Sequence, residues 1–227
     1  MLPVFPLYVV PFPYHTVAVR LFEERYKDML VRLRTNDGIF AMGRIWRGQE
    51  IGGNALPYRV GTIMRLQSVV AEGKSFRAEA LGLRRIRMTR FDSQSAPYLQ
   101  AEYDEYPDLV GHDGRTEELL SIWEHYLQEV LGIPPASISE WKGSSLFKLP
   151  LPELTLAISP FLRVPYPNLQ FLLESRDPGQ RRDSIIKAMI KSLEAIRNGT
   201  PETHSEFPDF PEGFQESEEP SPKPPED

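Results

Sequence analysis

Within the stretch "VRLFEERYKDML" (19–30), five charged side chains fall in six positions: Glu23, Glu24, Arg25, Lys27 and Asp28. Paired carboxylates could act as general acid and base if they converged in a pocket that pushed their pKa values apart. Consecutive residues on a helix diverge by about 100°, so Glu23 and Glu24 do not converge. Glu23 and Lys27 stand four apart, the spacing of a pair that stabilises a helix by about 0.2–0.5 kcal/mol. The cluster therefore reads as the polar face of a structural helix rather than an acid–base site.

Other candidates for chemistry fail on context. "EGKS" (72–75) ends like a phosphate-binding loop, but Ser68 stands where that motif needs Gly, and an alternating strand pattern follows instead of a helix. "SLFK" (145–148) and "SIIK" (184–187) match Ser-x-x-Lys without the Lys-Thr-Gly and Ser-Asp-Asn elements of a serine acylase. No Gly-x-Ser-x-Gly occurs. His15, His112, His125 and His204 show no His-x-x-x-His spacing, and there is no Cys, so no metal, cofactor or catalytic residue is expected.

Two binding candidates remain. "RRIRMTR" (84–90) places Arg85 and Arg87 on one face of a strand, with Arg90 at its end. This reads as a solvated basic face, or more sharply as a phosphate contact. "FPDFPEGF" (207–214) spaces Phe207, Phe210 and Phe214 by three and four in an acidic setting, the form of a linear motif that docks an apolar groove.

Any site must be positioned by the elements that the periodicity predicts. Residues 1–20 read as short extended segments punctuated by Pro3, Pro6, Pro11 and Pro13. Phe22, Tyr26, Met29, Leu30 and Leu33 predict a helix with one apolar face over about 22–34, stopped by Asn36-Asp37-Gly38. Strands are predicted at 38–45, 60–70, 75–91 and 97–106, with a hairpin turn at Glu72-Gly73-Lys74. After about residue 112 the period turns helical: 117–131, from about 152, 167–175, and 178–197 with Asp177 as N-cap and Pro178 in the first turn. Strands first and helices after predict an α+β fold. The division is a β-rich part over 1–111, a helical part over 112–199 and a tail over 200–227.

The tail is different in kind. Its 28 residues include seven Pro and nine acids against one base, a net −8, and no Leu, Ile or Val. Such a composition cannot bury enough to offset the entropy of ordering, which predicts disorder. The whole chain carries −6, so residues 1–199 carry +2. A near-neutral body argues against nucleic acid and anionic membrane as partners. The opening "MLPVFPLYVVPFPYH" has no basic n-region and four prolines, so no secretory signal is expected, and no apolar run approaches the roughly 20 residues of a membrane span. The lack of Cys suits a reducing, cytoplasmic location.

Several segments in order resemble the N-terminal, substrate-binding (LON) domain of Lon-type ATP-dependent proteases: "LPVFPLYVVPFP" (2–13), "RLFEERYKDML" (20–30), "VGTIMRL" (60–66), "EGKSFRAEALGLRRIRM" (72–88) and "LLESRDPGQRRDSIIKAMI" (172–190). The resemblance implies a β pseudobarrel of the PUA-like kind, a helical bundle after it, and a non-catalytic role in recognising unfolded or tagged polypeptides and in assembly. The ATPase and peptidase signatures of the family, Gly-x-x-x-x-Gly-Lys-[Ser/Thr] and Pro-Ser-Ala-Gly, do not occur, as expected of a stand-alone LON-domain protein. Tyr14 stands where the family often has Gly, and Arg65 where many relatives carry an acid.

The leading expectation is a binding or adaptor module. It would offer an apolar groove, between barrel and bundle, to polypeptide clients or a partner protein, with a separate protease as candidate partner. The alternative is RNA or nucleotide binding through the barrel. A hydrolase acting alone would need a convergent nucleophile and base, which the sequence lacks. Client identity and oligomeric state are left open.

Overall fold

The computed structural model describes residues 1–53, 55–109, 115–142 and 146–199. Strands lead: β1 (Leu2–Leu7), β2 (Thr16–Leu21), β3 (Ile39–Arg47), β4 (Leu56–Pro57), β5 (Val60–Glu72), β6 (Ser75–Asp92) and β7 (Gln100–Glu105), interrupted by helix α1 (Glu24–Thr35). Helices follow: α2 (Glu117–Glu129), α3 (Pro135–Lys142), α4 (Leu151–Ile158), α5 (Tyr166–Glu174) and α6 (Pro178–Arg197). The predicted α+β class holds. The short β4 and α3 carry no periodic signal and were not expected.

The strands close on themselves. β1 pairs β3 in parallel and β7 antiparallel, and the path β7, β6, β5, β3 returns to β1. Two prolines sit inside β1, which proline tolerates only where a ladder bond is not needed. The two ladders are offset: Leu2 and Pro3 pair β7, whereas Val4 to Leu7 pair β3. Each proline therefore lies where one neighbour alone is laddered. β5 and β6 form a long hairpin in which Glu72 pairs Ser75. Gly73, at φ 62°, supplies the left-handed residue that the two-residue turn needs. "EGKS" is thus a hairpin turn, and the Ser75 hydroxyl donates to the Glu72 carbonyl. β2 pairs the distal half of β6.

Inside the strands, Phe5, Leu7, Phe40, Met42 and Met64 pack with Tyr26, Met29, Leu30 and Leu33 of α1. A separate helical core forms around Trp123, Tyr126, Leu154, Leu173, Ile185 and Met189, and reaches the strands through Val10, Phe12 and Val60. Asp177 caps α6 as expected, accepting from the backbone N–H groups of Gly179 and Gln180 at 2.8 and 3.1 Å.

Among the described residues, Tyr14 is the non-glycine residue with positive φ, at 65°. Such a conformation is strained for a residue other than glycine, because a Cβ crowds the following carbonyl in the left-handed region. Tyr14→Gly is expected to raise stability by about 0.5–1 kcal/mol, the relief of strain exceeding the added freedom of the unfolded chain. Urea unfolding measures it; a loss would show that the half-exposed ring makes compensating contacts.

Candidate functional site

The helix boundary decides what the Glu23–Asp28 cluster does. α1 begins at Glu24, and Glu23 is its N-cap residue with extended backbone, φ −77° and ψ 140°. The expected Glu23–Lys27 pair therefore does not form, since i,i+4 geometry requires both residues inside the helix. Lys27 instead pairs with Glu24 at 2.7 Å. Glu23 turns to Arg25, whose Nη2 and Nε donate to its two carboxylate oxygens at 3.1 and 3.2 Å.

This pair organises a loop. Arg25 Nη2 also donates to the Glu50 carbonyl at 3.1 Å, and the Gly52 N–H donates to Glu23 Oε2 at 3.3 Å. From the other side, the Tyr8 N–H donates to Glu50 Oε2 at 3.3 Å. Residues 49–51, which follow β3, are thereby held between the end of β1 and the start of α1. The three segments, with Arg20 of β2, enclose a half-open cleft of about 400 Å3 lined by Phe5, Tyr8, Phe22, Tyr26 and Ile51 among others.

The rim of the cleft is apolar and solvated: Tyr8 is 51%, Phe22 48% and Ile51 62% exposed. Phe22 was expected on the buried face of α1. It lies before the first helical turn instead, so the helical period does not carry it inward. Tyr26 was correctly placed in the core, at 4% exposure, with its ring 4.4 Å from that of Phe5. Its hydroxyl is buried and has no hydrogen-bond partner among the described residues. Burial, reinforced by Glu23 and Glu50 and opposed by Arg25, pushes its pKa up to about 12, so it stays a donor through neutral pH. A buried donor without an acceptor costs about 1–3 kcal/mol.

The basic run does not assemble as expected. Arg85 is 4% exposed, and its Nη1 donates to the carbonyls of Leu173 and Ser175 at 2.8 and 2.6 Å. Its Nη2 donates to Asp108, whose carboxylate also accepts from Arg181 Nη1 and Nη2 at 2.9 and 2.8 Å. Arg87 remains exposed, and Arg90 pairs with Glu102 at 2.6 Å. Arg85 and Arg87 do share a strand face, but the segment joining α5 to α6 covers only the first of them. This ion pair sits at the junction of strands and helices, whereas the cleft is lined by residues between 5 and 51. Phe207, Phe210 and Phe214 lie outside the described residues, as do His112 and His204. His15 is half-buried, 5.6 Å from the Phe161 ring, and burial lowers its pKa. No group of three or more His, Asp or Glu that could hold a metal converges among the described residues.

The cleft could not have been found by periodicity, because loop residues 49–51 carry none. Its sequence signal was weak: apolar Phe22 and Ile51 next to charged residues, outside any element.

The family model of the ATP-dependent protease La (LON) substrate-binding domain matches residues 1–191. The Lon N-terminal domain protein from Xanthomonas campestris is similar in structure, with TM-score 0.58, 20% identity, and coverage of 88% of this chain and 98% of that one. The N-terminal domain of the Mycobacterium avium complex Lon protease is similar too, with TM-score 0.59, 16% identity, and coverage of 83% and 97%. Both show the fold. Comparison with curated proteins gave no match.

Proposed function

The chain belongs to the LON substrate-binding domain family, and from that membership we propose a non-catalytic recognition module whose cleft between β1, α1 and residues 49–51 binds exposed apolar segments of polypeptide clients. The observation that carries this is the solvated apolar rim of Tyr8, Phe22 and Ile51 over a half-open cleft. A folded chain leaves such side chains in water at a cost, and a client's apolar residues would cover them. Hand-over of a bound client to an ATP-dependent protease is the partner relation that fits the family. The absence of Cys suits a reducing cytoplasmic setting. No helix among the described residues is long and apolar enough to cross a membrane.

Fluorescence anisotropy of a labelled, permanently unfolded protein tests the reading. The full chain is expected to bind it at about micromolar affinity. Phe22→Ser with Ile51→Ser is expected to weaken binding about 10-fold or more, which is roughly 1.4 kcal/mol. Undiminished binding by that variant would remove the cleft from the recognition surface.

Tyr26→Phe separates function from folding. Removing an unsatisfied buried hydroxyl is expected to raise stability by about 1 kcal/mol, while binding of the same client is unchanged, because that hydroxyl is sealed from the cleft. A fall in stability would mean that the hydroxyl already has a partner within the folded chain.

A further inference from the structure

β2 is an open edge of the sheet. It ladders with β6 alone, from Thr16 opposite Leu81 to Leu21 opposite Phe76. The two-residue turn of the β5–β6 hairpin makes Glu72 and Ser75 a hydrogen-bonded pair, and such pairs recur at every second residue of an antiparallel ladder. Arg77 and Glu79 therefore bond β5, whereas Phe76, Ala78 and Ala80 bond Leu21, Val19 and Val17 of β2. Thr16, Ala18 and Arg20 are left with backbone N–H and C=O directed away from the sheet, and all three residues are exposed. No hydrogen bond reaches those groups among the described residues.

Edges of folded sheets are commonly blunted by proline, by charge or by a bulge. Thr16 to Val19 carry neither proline nor charge, and the β2–β6 register runs without a shift. Arg20 is already engaged, with the Ser75 hydroxyl at 3.1 Å and Glu72 at 3.9 Å, so its charge asks nothing of an added strand. The opposite edge, β5 beyond Leu66, differs: a bulge falls between Leu66 and Ser68.

The β2 edge is also continuous with the cleft. Arg20 and Phe22 line it, so the six residues of β2, about 20 Å of extended chain, lead into its apolar rim. Val17 and Val19 point to the other face, toward the core shared with α1, and stay half-buried at its margin. A strand laid along β2 would place alternate side chains over Val17 and Val19 and the others beside Thr16, Ala18 and Arg20.

We infer that an extended client segment of alternating polar and apolar residues adds to β2 as an antiparallel strand, with one end seated in the cleft. The inference rests on the cleft being the recognition site. It gives that site its breadth: main-chain hydrogen bonds carry the affinity and read no sequence beyond the alternation, which suits clients that have only an unfolded backbone in common.

The test uses the full chain and a labelled peptide, Lys-Val-Thr-Phe-Ser-Val-Thr-Leu-Lys, read by fluorescence anisotropy. The alternation fixes the register, since a slip by one residue would turn the apolar side chains to solvent. The Thr and Ser residues of the peptide then stand opposite Thr16, Ala18 and Arg20 and supply the N–H groups that bond β2. N-methylation of Thr, Ser and Thr is expected to weaken binding about 10-fold or more. N-methylation of Val, Phe and Val is expected to change it less than about 2-fold, because those N–H groups point away from β2. Ala18→Pro removes an outward N–H that the β2–β6 ladder does not use, a position where an edge strand tolerates proline. It is expected to weaken the unmodified peptide by a similar factor at a nearly unchanged urea midpoint. Equal effects of the two methylations, no binding of the unmodified peptide, or full binding by a folded Ala18→Pro chain overturns the inference, and the peptide pair decides even if the proline variant unfolds. Phe22→Ser with Ile51→Ser keeps the two claims apart. If that variant still loses unfolded client while both methylated peptides bind alike, only strand addition falls; if its client binding is undiminished, the cleft reading falls as well.

Discussion

Asp108→Ala is expected to destabilise the chain by about 3–5 kcal/mol, read from the urea midpoint at unchanged slope. The reason is the pair of arginines it serves. Arg85 and Arg181 are 4% and 0% exposed, and Asp108 accepts hydrogen bonds from both. Burial lowers the Arg85 pKa and the neighbouring Arg181 cation adds to this, with Asp108 opposing. Without the carboxylate, two like charges remain out of water, with the carbonyls of Pro152, Leu173 and Ser175 and the Thr155 hydroxyl as their acceptors among the described residues. A typical domain has about 5–15 kcal/mol of stability in all, so the loss would be a large share of it. Replacing Asp108, Arg85 and Arg181 together by apolar residues of similar volume is expected to recover much of the loss, because burying the ions is itself costly. A single-variant effect below about 1 kcal/mol, the range of a solvated pair, would show that water reaches these groups.

The consequence is architectural as well as energetic. Arg85 belongs to β6, Asp108 follows β7, and Arg181 lies in the first turns of α6. Their hydrogen bonds tie the strands to the helices. Tyr106 adds to the tie: its hydroxyl donates to the Glu174 carbonyl at 3.1 Å, and the guanidinium carbons of Arg176 and Arg85 lie 5.2 and 5.5 Å from its ring. Asp108→Ala should therefore loosen the junction first, seen as faster amide exchange in α5 and α6 than in α1. The cleft, built from residues 5–51, should still bind client in the folded fraction.

Gly82→Ala is expected to cost about 3 kcal/mol. A Cβ at this position would lie 2.1 Å from the Phe12 carbonyl oxygen and 3.1 Å from the Pro13 Cα. Both are backbone, so no side chain can swing away. The chain between β1 and β2 crosses β6 here, held by the Tyr14 N–H to the Gly82 carbonyl at 2.8 Å and the Gly82 N–H to the His15 carbonyl at 2.9 Å. Relief requires moving that crossing, which would carry Phe12 out of the helical core it helps to fill. Gly73→Ala is the calibrating variant: nothing lies within 4 Å of its added Cβ, and only the positive φ opposes it. It should cost about 1 kcal/mol. Equal effects of the two substitutions would refute the crossing argument.

These two sites show how much a motif can carry without revealing its reason. Gly82 and Arg85 stand three apart in the segment that most resembles the LON family. Nothing in their spacing says that one admits a crossing chain and the other reaches into the helices. The hydrophobic period placed α1, α2, α5 and α6 to within two residues at most of their ends, and alternation placed the β5–β6 hairpin with its turn. Local backbone and burial preferences suffice for such elements, because each repeats a pattern over several turns or pairs.

What the sequence determined by itself was therefore the order of the strongly periodic elements, the α+β class, and the change to a Pro-rich, acidic composition at residue 200. The tertiary structure alone decided which polar and apolar side chains meet water. Arg85 and Arg87 have the same parity on one strand, yet a covering segment buries the first and leaves the second exposed. Phe22 and Tyr26 stand one helical turn apart in sequence, yet the helix begins between them, so one forms the rim of the cleft and the other lies beneath it. Periodicity is a property of a few neighbouring residues, whereas exposure is set by chain segments that arrive from tens of residues away.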